Sequence, residues 1–329
     1  EYLQEMNREV LSNYDIITVG EMSSTTIDEC IKYTNPDRNE LDMVFNFHHL
    51  KVDYPNFNEK WELGEFNLID LKQVLAEWQT EMVKGNGWNG LFWCNHDQPR
   101  IVSRFGNDQK FLKESAKMLA TTLHLMRGTP YIYQGEEIGM TNPYFSDIND
   151  YRDVETLNFY QIMKDKGKDE KEIMEIIQSR SRDNARTPMQ WDDSENAGFT
   201  IGNPWIKVAD NYQSINVKNA LTDENSVYYH YRKLISIRKK YDVVINGDFQ
   251  LIFEDHPAIF AYLRNTESEK ILVLSNFSEQ NQSYSLPEHV LFDEYSFEVL
   301  ISNYNSLPEN LNNGTLRPFE SIAYYIKKM

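Results

Sequence analysis

Hydrophobic residues along this chain keep one period up to about Tyr241 and another beyond it. In the first part, short apolar runs alternate with stretches whose apolar residues recur at three- and four-residue spacing, the signature of strands alternating with amphipathic helices. The runs IITVGE (16–21), LDMVFNF (41–47), LFWCN (91–95) and PYIYQ (130–134) predict strands. LIDLKQVLAEWQTEMV (68–83) and KESAKMLATTLHLMRG (113–128) predict helices, as does the opening EYLQEMNREVLSNYD through Leu3, Met6, Val10 and Leu11. That opening helix begins mid-pattern, with no initiating Met and no Ser, Thr, Asp or Asn cap ahead of it, so the chain reads as truncated.

Residues 151 to about 183 are helical in pattern and highly charged, with KDKGKDEKEIMEI at the extreme, and read as a solvated face. SVYYHYRKLISIRKK (226–240) predicts a closing amphipathic helix. From there short alternating segments take over: FQLIFE, AIFAYLR, KILVLSNF, FEVLI and IAYYI. The expected organisation is an α/β domain over 1–241 with a parallel sheet, followed by an all-β domain over 242–329.

Composition narrows the function. The formal net charge of −18 argues against a nucleic-acid partner, because binding a phosphate backbone needs a basic surface. The two cysteines, Cys30 and Cys94, have neither disulfide-framework nor CxxC spacing, which fits a reducing cytoplasm. No apolar run reaches the roughly 18 residues that span a bilayer, so no membrane is expected. With a cytoplasmic location, the sequons at Asn276, Asn281 and Asn313 carry no meaning.

The chemistry gathers at predicted strand ends, where a parallel α/β fold collects its site. Glu21 follows the first run, Asn46 and His48 the second, His96 and Asp97 with Arg100 the third, and Gln134 and Glu136 the fourth. Two carboxylates suffice for glycoside chemistry when one is held protonated and the other ionised, and Glu21 and Asp97 are the pair expected to do so. GNGWNG (85–90) satisfies a GxGxxG spacing but lies between a helix and a strand. A dinucleotide fingerprint follows a strand and opens a helix, so Gly85, Gly87 and Gly90 are read as a turn. His48 and His49 are adjacent and have no third ligand at a recognisable spacing, so no metal and no cofactor are expected.

Taken together, TVGEMSSTTIDEC, FNFHHLKVDYPN, FWCNHDQPRIVSRFG, GTPYIYQGEEIGMTNP, DYRDVETLNFY and SRDNARTPMQWD resemble the oligo-1,6-glucosidase branch of the α-amylase superfamily. The resemblance runs over essentially the whole chain. It implies the second half of a (β/α)8 TIM barrel followed by a C-terminal β-sandwich, and a retaining mechanism with a nucleophilic Asp, an acid/base Glu and a second Asp that stabilises the transition state. Glu21 matches the acid/base and Asp97 the stabiliser. His96 matches a histidine that binds sugar hydroxyls, and one of Arg182 and Arg186, left open between the two, matches an arginine of the same subsite. His48 and Arg100 are expected to line the sugar.

The small carbohydrate substrate implied is a phosphorylated disaccharide, trehalose 6-phosphate, with Lys51 and Lys60 on the loop after the second run expected to meet the phosphate. Isomaltose-type α-glucosides are the alternative substrate. A non-catalytic amylase-like module is a further alternative, disfavoured because Glu21 and Asp97 are both present. The family's DGFRMD-like nucleophile motif is absent from these residues. The chain is therefore expected to be inactive alone, and to need the N-terminal half of the barrel or a substitute partner to cover two exposed strand edges.

Overall fold

The computed structural model describes the chain except Asn58, Asp293, Glu294, Pro308, Glu309 and Met329. Helix α1 (Tyr2–Glu9) buries none of its residues. Strands β1 (Val19–Met22), β2 (Met43–Asn46), β3 (Asn89–Leu91) and β4 (Thr129–Pro130) then form one parallel sheet in chain order. The crossovers are α2 (Ile27–Thr34), α3 (Leu68–Lys84), and the pair α4 (Ile101–Phe105) and α5 (Leu112–His124). Thr26 and Asn67 cap α2 and α3 by accepting from Glu29 N and Ile69 N, which fixes where each helix starts.

The last two strands begin earlier than their apolar runs suggest. Phe92, Trp93 and Cys94 are buried beyond the end of β3, and Tyr131, Ile132 and Tyr133 pack on the core beyond β4, so these runs are apolar because they enter the interior rather than because they pair. Gly85 and Gly87 do lie at the C-cap and turn after α3, but Gly90 is inside β3. A Cβ there would stand 2.8 Å from the Phe45 ring, so close strand packing, not a turn, requires that glycine.

Past the sheet, α6 (Val154–Asp165) and α7 (Glu170–Arg180) pack on each other around Phe159, Ile173 and Ile177, and α8 (Asp183–Arg186) follows directly. Helices α9 (Val217–Thr222), α10 (Val227–Lys240) and α11 (Val243–Asn246) complete the helical part. The C-terminal region is an antiparallel sheet of β5 (Asp248–Ile252), β6 (Ile259–Asn265), β7 (Glu269–Asn276), β9 (Tyr295–Ser302) and β11 (Ser321–Lys328) in the order β5-β6-β7-β11-β9. A two-stranded antiparallel sheet of β8 (Gln282–Ser285) and β10 (Asn313–Leu316) accompanies it.

Alternation along β6 divides the cores. Ile259, Ala261 and Leu263 face Tyr284, Leu286 and Leu316 in one core, while Phe260 and Tyr262 join Leu119 and Leu123 of α5 and Leu234 of α10 in the other. The sheet is thus buried on both faces, and the large core runs without interruption from the parallel sheet into the β region.

Candidate active site

Asp97 is held on the loop after β3 by its own turn. Its backbone N–H donates to Asn95 Oδ1 at 2.7 Å, while Trp93 below donates its indole N–H to Leu119 O at 2.9 Å. The carboxylate, part-exposed, meets Arg186 Nη2 at 2.5 Å, Arg182 Nη1 at 3.8 Å and His96 Nε2 at 3.8 Å. Arg186 also donates from Nε to His96 O at 2.7 Å, bracing the loop from the side. Of the two arginines, Arg186 makes the direct contact with Asp97 and Arg182 stands behind it.

A second layer of acids orients these arginines. Asp153, the N-cap of α6, accepts from Arg182 Nη2 at 2.5 Å and Nε at 3.1 Å, and its Oδ1 lies 3.6 Å from Arg186 Nη1. Burial raises this carboxyl, but the bonds from Arg182 and Thr156 outweigh it, so Asp153 lies below the usual carboxylate range. The Asp153 contact is in turn the main cause that raises Arg182. Glu155 lies 3.3 Å from Arg182 Nε and accepts from Lys60 Nζ at 2.7 Å and Trp61 Nε1 at 3.0 Å. A continuous line of alternating charge therefore runs from Asp97 through the arginines to Lys60.

Lys51 lies elsewhere on the same loop. Its ammonium donates to Ser23 O at 2.9 Å and Ser24 Oγ at 3.3 Å, immediately after β1, which carries Glu21. Behind the loop, Asp53 is buried between Arg104, at 2.6 Å from Nη2, and Arg180, with both guanidiniums about 5 Å from the Tyr54 ring. Burial acts to raise Asp53, yet the two arginines hold it below its ordinary value. No pattern in the sequence marks this node, because its members are separated by up to 127 positions.

The remaining expected residues do not gather around Asp97. Glu21 is exposed on β1, so these residues do not supply the burial expected of an acid/base carboxyl. Arg100, expected at the sugar, is 1 % exposed and lies beneath the rim, where it donates to Gln134 O at 2.6 Å and Ala185 O at 3.2 Å. Its role is to tie the loop after β4 to α8. His48 lies tilted against Trp78 with ring centroids 5.1 Å apart, beside Thr26, Asp28, Glu77 and Glu81, and burial lowers its pKa. His49 is buried and bonded to Phe92 O at 2.8 Å, and burial lowers it to about 4.

Among the other strand-end groups, Asn46 is buried, Gln134 is exposed with its carbonyl bound to Arg100, and Glu136 turns inward. Glu136 lines a cavity of about 10 Å³ with Cys94, Arg100, Met140 and Tyr231. Both cysteines are buried thiols; burial pushes Cys30 up to about 11 and holds Cys94 well above the ordinary thiol range. Among the described residues no group of three His, Cys, Asp or Glu side chains is placed to hold a metal ion. Among them too, no helix is long and apolar enough to cross a membrane.

Comparison with known proteins bears on the family and the fold. The model of the alpha-amylase catalytic domain matches residues 1–247, and that of the alpha-amylase SusG C-terminal domain matches 259–323. The trehalose-6-phosphate hydrolase of Bacillus subtilis (strain 168) is 58% identical over 328 residues, 100% of this chain and 58% of that protein. The oligo-1,6-glucosidase of Parageobacillus thermoglucosidasius is 54% identical over 329 residues, covering 99% of this chain and 58% of that protein. The crystal structure of Bacillus licheniformis trehalose-6-phosphate hydrolase superimposes with a TM-score of 0.97 at 59% identity, over 99% of this chain and 59% of that one. The chain thus spans under two thirds of the length of these relatives. A parallel strand–helix array with Asp97 and its arginines at the rim, an antiparallel β region behind it and a family model over most of its length lead to one assignment: the chain belongs to the alpha-amylase family.

Proposed function

We propose that this chain contributes the Glu21 and Asp97 side of a retaining α-glycoside hydrolase site whose substrate is trehalose 6-phosphate. The observation that carries this reading is the polar cluster after β3, where Arg186, Arg182 and His96 surround Asp97. Glycosidic cleavage develops positive charge at the anomeric carbon and negative charge on the leaving oxygen. Asp97, facing the ring, offsets the first. Glu21 donates a proton to the leaving oxygen and then takes one from the incoming water. In the retaining geometry, acid/base and nucleophile carboxyls lie about 5 Å apart.

The proposed nucleophile is not among the acids near Asp97, since Asp153, Glu155 and Asp183 are each committed to arginine, lysine or backbone N–H groups. Glu21 also needs a covering wall that would exclude water and favour its protonated form. Both requirements make the 329-residue polypeptide inert by itself.

Lys51 beside Ser23 and Ser24, and Lys60 on the same loop, are the cations offered to the phosphate. A second reading, cleavage of isomaltose-type α-glucosides, is favoured by the pairing of Lys60 with Glu155, which already neutralises one of the two. Glucose 6-phosphate release from trehalose 6-phosphate, run in parallel with isomaltose, decides between them. The polypeptide extended at its N-terminus is expected to turn over the phosphorylated sugar preferentially, and the 329-residue chain neither substrate. Turnover by the chain alone refutes the need for a further carboxylate, and preference for isomaltose moves the reading to the second substrate.

A further inference from the structure

We infer that Asp153 is the positioning residue that fixes Arg182 and Arg186 against Asp97, an inference that rests on the hydrolase reading above. Its two oxygens do separate work. Oδ1 faces the arginines, accepting from Arg182 Nη2 at 2.5 Å and Nε at 3.1 Å and lying 3.6 Å from Arg186 Nη1. Oδ2 faces the helix, accepting from Thr156 N at 3.2 Å and Thr156 Oγ1 at 2.9 Å. The backbone N–H of Asp153 donates to Asp183 Oδ2 at 2.8 Å, so the residue is pinned from behind as well.

Two guanidiniums converge on one carboxylate at Asp97, and without a second anion they would repel each other. The side chain of Asp153 is 2% exposed, whereas that of Asp97 is 37% exposed. The buried charge acts in the lower dielectric and sets the arginine geometry, leaving the outer carboxylate free to face substrate.

The division between the oxygens supplies the test. Asparagine caps helices as well as aspartate does, so Asp153→Asn keeps the bond to Thr156 while placing an N–H donor against the arginines. Thr156→Ala does the converse. In the N-terminally extended polypeptide, Asp153→Asn is expected to lower kcat/KM on the order of 10²-fold, the scale of a displaced substrate-positioning group. Thr156→Ala is expected to lower Tm at least as far and to leave KM unchanged. In the 329-residue chain labelled with ¹⁵N-arginine and carrying Glu155→Gln, which removes the other carboxylate near Arg182 Nε at 3.3 Å, Asp153→Asn should abolish the Nε–H signal of Arg182, assigned with Arg182→Lys, and retain that of Arg186, whose Nε binds His96 O.

Retention of the Arg182 signal in Asp153→Asn overturns the inference, as does activity that falls in both variants in proportion to Tm. If the extended wild-type polypeptide cleaves no glucoside while the Arg182 signal disappears as expected, the hydrolase reading fails and the anchoring of the arginines stands.

Discussion

Glu136 has Tyr231 Oη donating to one carboxyl oxygen at 2.7 Å, and its other oxygen faces the buried Cys94 side without a hydrogen bond of ordinary geometry among the described residues. Burial raises it to about 7 against the opposing Tyr231 bond, with Glu137 adding to the rise and Arg100 reducing it. The folded protein keeps this proton where the unfolded chain, near 4.5, has lost it. Unfolding therefore releases a proton between those values, and stability falls as pH rises through that window before levelling off. Glu136→Gln keeps an acceptor for Tyr231 and removes the titration. Its Tm is expected to stay flat where the parent declines, with a gain of roughly 3 kcal/mol at about pH 8. Parallel pH profiles of Tm for the two proteins would dismiss this account.

At this scale the sequence exposed some residues and hid others for a physical reason. Asp97 and His96 could be named because a polar group directly after a buried strand has few places to go but the rim, whereas Arg186 was reached, together with Arg182, only through the resemblance of SRDNAR. Arg100 shares that motif, yet its longer side chain reaches down to the carbonyls of Gln134 and Ala185 rather than up. Asp153 was invisible because its meaning depends on Arg182 and Arg186, which a capping position at the start of a helix does not announce.

Between elements, cations clamped on carbonyls join the helical part to the β region. Lys72 of α3 is fully buried, and its ammonium donates to Phe253 O at 2.6 Å, His256 O at 2.7 Å and Ile259 O at 3.3 Å, around the turn joining β5 to β6. Arg264 of β6 does the same for Leu125 O and Val244 O, at 3.1 and 2.7 Å, and also donates to Gly247 O. Burial lowers Lys72 to about 8, with Asp255 and Glu254 acting the other way, so it remains charged near neutral pH. Lys72→Met strands these carbonyls and is expected to cost roughly 3 kcal/mol, since each unsatisfied buried group costs about 1–3. Limited proteolysis should then open the β5–β6 turn first. A variant as stable and as resistant as the parent would leave the clamp without energetic weight.

Periodicity located most of these elements, but not β8 and β10, whose QSYS and NGTL carry too few apolar positions to alternate visibly. It also could not show that β6 is buried on both faces, since a strand reads the same whether its second face meets a helix or a sheet.

Over the whole molecule, the parallel sheet ends in two edges, β1 and β4, and the segment leading to β1 leaves Tyr2, Tyr14 and Ile17 exposed at 85%, 66% and 73%. Open edges beside apolar surface pair with whatever offers a strand. At micromolar concentration the 329-residue chain is expected to sediment as a self-associated species with a broad melt, despite the net charge of −18 that opposes aggregation. A monomer with a sharp, cooperative transition would contradict this. The two-part layout was readable from the change of period, whereas the single core that crosses it was not, because contacts between α5 and β7 or β11 join residues far apart in sequence.

The place of β11 in its sheet has a bearing on biogenesis. It lies between β7 and β9, paired with both, so β9 has no place in the sheet until residues 321–328 have left the ribosome. Helix α5, made some two hundred residues earlier, must wait for that strand to cover one of its faces. Completion of the large core accordingly comes late, and is slow for its non-local order. During that interval the nascent polypeptide displays its apolar helix faces to solvent, which makes it a natural client for chaperones that hold unfinished chains.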